Sequence, residues 1–123
     1  MQMQKSILKI FIITISIAMY CSCTHDSLVK PKEVSFKNDV LLVIAGNCQT
    51  SGCHGATGFS NFPLVTYEDV INNGDVESGK PNSSKIYKSI NGQTGDLMPP
   101  SGVLSAVQIQ IVHDWIEQGA KNN

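Results

Sequence analysis

The chain has 123 residues, enough for one domain once any targeting segment is set aside. Charge is nearly balanced, with nine lysines, no arginine and ten acidic residues, for a formal net charge of −1. Without a basic excess, nucleic acid is not an expected partner, because phosphate binding needs clustered positive charge.

Lys5 and Lys9 border an apolar run from Ile7 to Tyr20. A short basic region followed by roughly 7–15 apolar residues is the layout of a secretory signal. The run is short for a permanent span, which needs about 20 apolar residues. It ends in Tyr20-Cys21-Ser22-Cys23, and a cysteine directly after a small residue resembles a bacterial lipoprotein processing site. Cys23, after Ser22, fits that pattern better than Cys21, after bulky Tyr20. The reading is a signal peptide over residues 1–23 with Cys23 lipidated; a plain signal with incidental cysteines is the alternative. Either exports the chain, to the periplasm or cell surface, and the lipid would anchor it to a membrane. Beyond residue 23 the formal net charge is about −3, and only Cys48 and Cys53 remain of the four cysteines.

Residues 24–34 are polar with one proline and suit a flexible tether. From Ser35 a helical pattern begins, with Phe36, Val40, Val43 and Ile44 at three- and four-residue spacing. Ser35 caps its start and Gly46-Asn47 stops it, so the helix delivers the chain into Cys48. Residues 48–63 read as loop. Leu64 to Ile71 predicts a short helix with Leu64, Tyr67 and Ile71 on one side. After a loop from Asn72 to Pro81, Ser83 or Ser84 caps another short helix carrying Ile86, Tyr87 and Ile90. Residues 91–102 form a third loop containing Met98-Pro99-Pro100. Ser105 and Gln108 make a capping box, Ile109, Val112, Trp115 and Ile116 follow at helical spacing, and Gly119 ends the helix. No strand alternation stands out, so the domain reads as all-α with long loops.

Loops longer than about 12–15 residues are uncommon in compact domains unless something functional organises them. Two substantial helices also make a thin core, and small domains of this kind usually carry a staple: a disulfide, a metal or a cofactor.

The segment Asn47-Cys48-Gln49-Thr50-Ser51-Gly52-Cys53-His54-Gly55 suggests what that staple is. Haem c attachment is usually read as C-x-x-C-H, with two thiols joined to the haem vinyl groups and the adjacent histidine on the iron. Here the spacing is C-x4-C-H, and Gly52 with small Thr50 and Ser51 lets the longer arch fold away. Three other readings compete. A Cys48–Cys53 disulfide is the default in an oxidising compartment, but leaves His54 and the Met-Pro-Pro loop unexplained. Zinc lacks a fourth ligand, since the other histidines are His25 in the tether and His113 in the last helix. A thiol-redox site prefers C-x-x-C beside a βαβ pattern.

Met98 is the sole methionine after the signal segment, and a thioether in the sixth iron position raises the reduction potential. Pro99-Pro100 is expected to hold the chain extended beside it. The alternative is a methionine filling a core gap. His113 reads as a surface or boundary histidine and Trp115 as a core aromatic packing the last helix on the first helix or the haem edge. Tyr67 and Tyr87 read as pocket-lining or boundary residues, and Glu68-Asp69 as a solvated face.

From Val34 to Asn123 the sequence resembles the planctomycete-type cytochrome c domains, short haem modules of exported bacterial proteins. The matching pieces are Phe36-Lys37-Asn38-Asp39-Val40-Leu41, Asn47-Cys48 with Cys53-His54-Gly55, Leu64 with Tyr67, Met98-Pro99-Pro100, and the closing run from Leu104 to Ala120. The resemblance implies an all-α cytochrome c-like fold over residues 35–123, with first and last helices crossing and long loops wrapped around one haem. It implies thioether roles for Cys48 and Cys53, His54 as proximal ligand and Met98 as distal ligand to the iron. The expected function is electron transfer without catalysis, with other redox proteins as partners in transient contact at the haem edge. A haem enzyme or gas-sensing domain with a displaceable Met98, and a haem-free disulfide-stapled lipoprotein binding module, are the alternatives.

Overall fold

A computed structural model describes residues 31–123. The signal segment 1–23 with Cys21 and Cys23, and most of the expected tether with His25, lie outside the described residues. Contacts carry the folded unit back to Lys32. The Gln118 side chain accepts from Val34 N and donates to the Lys32 carbonyl, and Lys121 pairs with Glu33 at 2.9 Å.

Among the described residues there are helices and no strand. The first helix opens with a π turn, Phe36–Val40, and continues as α1, Leu41–Asn47. Its start is capped reciprocally: Ser35 Oγ accepts from Asn38 N, while Ser35 N donates to the Asp39 carboxylate at 2.8 Å. The apolar residues at helical spacing are the ones buried: Phe36, Val40, Val43 and Ile44.

The second helix, α2, Tyr67–Asn73, starts later than the apolar pattern suggests. Leu64 is buried but lies ahead of the helix, because Thr66 sets the boundary. Thr66 Oγ1 accepts from Asp69 N, and the Asp69 carboxylate accepts from Thr66 N at 2.9 Å and Val65 N at 3.2 Å. Asp69 is therefore a capping residue and not merely part of a solvated face, and Val70 is the buried residue of α2. The Thr66 backbone N–H outweighs the burial penalty and, with the Thr66 hydroxyl and Val65 N–H, holds the Asp69 carboxyl below its ordinary range. A depressed folded-state pKa adds stability above the unfolded value of about 3.9, and that stability is lost as pH falls through the folded value. Urea unfolding followed below about pH 4 should thus show a steeper loss for the natural protein than for Asp69→Asn. At neutral pH Thr66→Ala should cost about 1 kcal/mol, the usual worth of an N-cap.

A 3₁₀ turn, Pro81–Ser83, leads into α3, Lys85–Ile90. Ser84 sits at the N-cap position, but its hydroxyl does not cap the helix, contrary to expectation. It is fully buried and donates to the Lys80 carbonyl at 3.0 Å while accepting from Glu77 N at 2.9 Å, tying down the preceding loop. The last helix, α4, Ala106–Glu117, carries the expected Ser105–Gln108 capping box, and Gly119 at φ 105° turns the chain away.

The core forms where the two ends of the unit meet. Trp115, 1 % exposed, lies 5.4 Å from Phe36 and 6.4 Å from Tyr67 between ring centroids, and Phe36 meets Tyr67 edge-on at 5.2 Å. Tyr67 is thus a core ring, and its hydroxyl donates to the Ala120 carbonyl at 2.8 Å. Trp115 Nε1 donates to the Lys121 carbonyl at 2.9 Å, so both polar ring atoms are satisfied inside the cluster. Asn123 stitches across: its side-chain oxygen accepts from Phe36 N, and its carbonyl accepts from Lys37 N and Ser35 Oγ. Val112 and Ile116 complete the buried stripe of α4, while Ile109 is only half-buried.

Candidate cofactor site

The last hydrogen bond of α1 runs from Cys48 N to the Ile44 carbonyl at 2.8 Å, so the helix fixes where Cys48 begins the loop. His54 N then donates back to the Cys48 carbonyl at 3.0 Å. That bond closes a ring of chain and holds His54 beside Cys48 despite the long spacing. Within the ring, Cys53 N donates to the Thr50 carbonyl at 3.0 Å, making a tight turn over Thr50–Cys53. Gly52 takes φ 81° there, a conformation that side chains with a Cβ rarely adopt. Thr50, Ser51 and Gly52 are exposed while Cys48, Cys53 and His54 are half-buried, so the extra residues bulge outward. Gly55 has a separate reason to be glycine, since a Cβ there would sit 3.0 Å from the Gln49 carbonyl oxygen.

His54 is held by a residue far from any motif. Its Nδ1 lies 2.8 Å from the Phe62 carbonyl oxygen, which can only accept, so Nδ1 carries the proton and Nε2 is left as the lone-pair nitrogen. The Phe62 ring stacks on the imidazole at 4.7 Å and 28°. A backbone carbonyl fixing one ring nitrogen is how metal-binding histidines usually present the other. Two further bonds, Leu64 N to the His54 carbonyl and Gln49 Nε2 to the Leu64 carbonyl, brace the loop from behind.

Met98 arrives from the third loop. Its N–H donates to the Ser89 carbonyl on α3 at 3.1 Å, and Gly102 N donates to the Pro99 carbonyl at 3.1 Å. The two prolines therefore lie in a turn, not in the expected extended run, because the carbonyl of Pro99 closes back on Gly102.

Two adjoining clefts result. The smaller, of ≈ 240 Å³, is lined by all four sequence-predicted site residues, Cys48, Cys53, His54 and Met98, together with Pro99 and Pro100. The larger, of ≈ 260 Å³, shares Cys48, His54, Asn61 and Met98 and extends over Phe62, Leu64, Gly74, Ile86 and Ile90, with Lys85 and Asp96 also lining it. Side chains from two loops, α2 and α3 thus converge on one largely apolar space, and together the clefts reach the usual scale of a small-ligand site, about 300–1,000 Å³. His54 is the one histidine in the lining of either cleft.

Both cysteines are free thiols. Burial, with Cys53 close by adding to the effect, pushes the Cys48 thiol up to about 11. At neutral pH it is therefore protonated and a poor attacking thiolate for disulfide exchange.

The donor set fits a covalently bound haem. It combines two thiols, an imidazole with Nε2 presented, a thioether, and an apolar wall between them. Asp96 joins Cys48, Cys53 and His54 in the linings, but among the described residues no three of these donors come close enough together to share a zinc ion.

His113, half-buried on α4, lines neither cleft. Its Nδ1 lies 3.0 Å from Asp114 Oδ1 and 3.8 Å from Glu117 Oε2, and its ring meets Tyr87 edge-on at 5.3 Å. Ligand atoms of these three residues fall within 4.8 Å of one another, a grouping that no spacing in the sequence announces. The His113 ring nitrogen, lying between the two carboxylates, accounts for the arrangement.

No family model matches the chain. No curated protein and no solved structure matches it either.

Proposed function

We propose that the folded unit is a c-type cytochrome domain that transfers single electrons through one covalently attached haem c. The observation that carries this reading is the convergence of Met98, from a loop far along the chain, with Cys48, Cys53 and His54 on one cleft. Such a domain would have the all-α cytochrome c-like fold with first and last helices crossing, a reading supported by the Phe36–Trp115 contact between them.

When bound, the haem supplies a one-electron iron couple. Cys48 and Cys53 would hold it by thioethers formed from their thiols. His54 would bind through Nε2, its orientation set by Phe62. Met98 would be the second protein ligand to the iron, and two such ligands would favour outer-sphere electron transfer over catalysis. Phe62, Leu64, Ile86 and Ile90, which line the larger cleft, would shield the bound group from water. With the amino-terminal signal and a lipid on Cys23, the domain would work at a membrane outside the cytoplasm, exchanging electrons with other redox proteins by brief contact.

Protein produced with a haem c maturation system should keep its Soret and α bands after denaturing purification. Loss of those bands on denaturation would remove the covalent assignment. Met98→Ala should abolish the long-wavelength charge-transfer band of the oxidised protein and lower the reduction potential by more than about 59 mV, a tenfold change in the one-electron equilibrium. An unchanged spectrum in that variant would take Met98 off the iron.

A further inference from the structure

Haem is amphipathic: an apolar ring carries two vinyl groups toward one side and two propionate carboxylates toward the other. Burying a carboxylate without a partner is costly, so a protein that encloses the ring must offer the propionate side water or a cation. The two clefts differ in this respect. Cys48, Cys53 and Asn47 line the smaller one, where the vinyl groups would be bonded. The larger one lacks Cys53, extends along α3, and has Lys85 as the one cationic residue of its lining. Lys85 stands at the first position of α3, exposed enough to reach water, its backbone N–H fixed on the Asp75 carbonyl at 3.3 Å. Among the described residues it joins no ion pair, whereas Lys80 and Lys121 are each committed to a glutamate.

Building on the cytochrome reading above, we propose that Lys85 is the propionate-binding residue, pairing its ammonium with a carboxylate of the haem at the α3 end of the cleft. The assignment also sets which way round the ring lies, with its vinyl side on the Cys48–Cys53 turn and its acid side toward α3. Cys48, His54 and Asp96 are the other titratable groups of that cleft. Asp96 bears a negative charge that repels a propionate, which makes the single lysine the more necessary.

Resonance Raman spectroscopy of the haem-loaded protein tests this, because the propionate bending band moves with the strength of the carboxylate's hydrogen bonding. Lys85→Gln should move that band to lower frequency and leave the ligation-sensitive marker bands in place, while Lys85→Arg should restore it. Lys37→Gln, on the first helix and outside both clefts, should leave it unmoved. A band that stays put in Lys85→Gln, or that shifts as much in Lys37→Gln, would overturn the assignment while leaving the cytochrome reading intact. A protein that acquires no covalent haem would instead remove that reading, and this inference with it.

Discussion

Haem should be absent from the denatured Cys48→Ala/Cys53→Ala double variant, while each single variant keeps one thioether. The expectation follows from the turn between the two cysteines. The bond from His54 N to the Cys48 carbonyl and the exposed Thr50–Cys53 turn place the extra residues outside the site, so both thiols still line the same cleft as His54. Each single variant would leave one vinyl unsaturated, which moves the α band of its pyridine haemochrome to longer wavelength. Mass spectrometry of each denatured variant beside those spectra checks the pattern. A Cys48→Ala protein with the spectrum of the natural one would show that Cys48 makes no thioether. Deleting Ser51 and Gly52, the tip of the turn, should leave attachment at both cysteines.

The second large effect concerns the core. Trp115→Ala should destabilise the folded unit by about 3–5 kcal/mol, the range for removing a large buried aromatic. Trp115 contacts Phe36 and Tyr67, donates to the Lys121 carbonyl, and is almost wholly buried. Its loss would therefore detach the end of α4 from the π turn that opens the first helix. A domain of this size has about 5–15 kcal/mol to lose. Trp115→Phe keeps the ring contact and should cost clearly less. Urea unfolding of the haem-loaded proteins, followed by far-UV circular dichroism, gives the comparison, and equal midpoints for Trp115→Ala and the natural protein would refute the packing account.

The first and last helices were legible in the sequence because capping and periodicity agreed there. Ser35 and the Ser105–Gln108 box mark both starts, and the apolar spacing named the buried residues, Ile109 apart. The middle helices were less so. Leu64 carries the right spacing for α2 but is buried by loop packing, while Asp69, which reads in the sequence as part of a solvated face with Glu68, belongs to the Thr66 cap that begins the helix. The signal was present, since a threonine followed three residues later by an aspartate can cap as a glutamate or glutamine does. Ser84 misled in the opposite direction, having the position of a cap and the hydrogen bonds of a loop staple.

Of the candidate site, Cys48, Cys53, His54 and Met98 could be named from residue type and order alone. Phe62 could not. It supports His54 through its backbone carbonyl, an atom every residue has, and through a stack that depends on how the loop closes. Lys85 was equally silent, because only the fold brings the start of α3 to the cleft.

The central claim is best tested on one sample: the matured protein, denatured and weighed intact. One haem added to the polypeptide mass, retained on a peptide spanning Cys48 and Cys53, is the predicted result. A polypeptide of unmodified mass, or one lighter by two hydrogens from a Cys48–Cys53 disulfide, would contradict it.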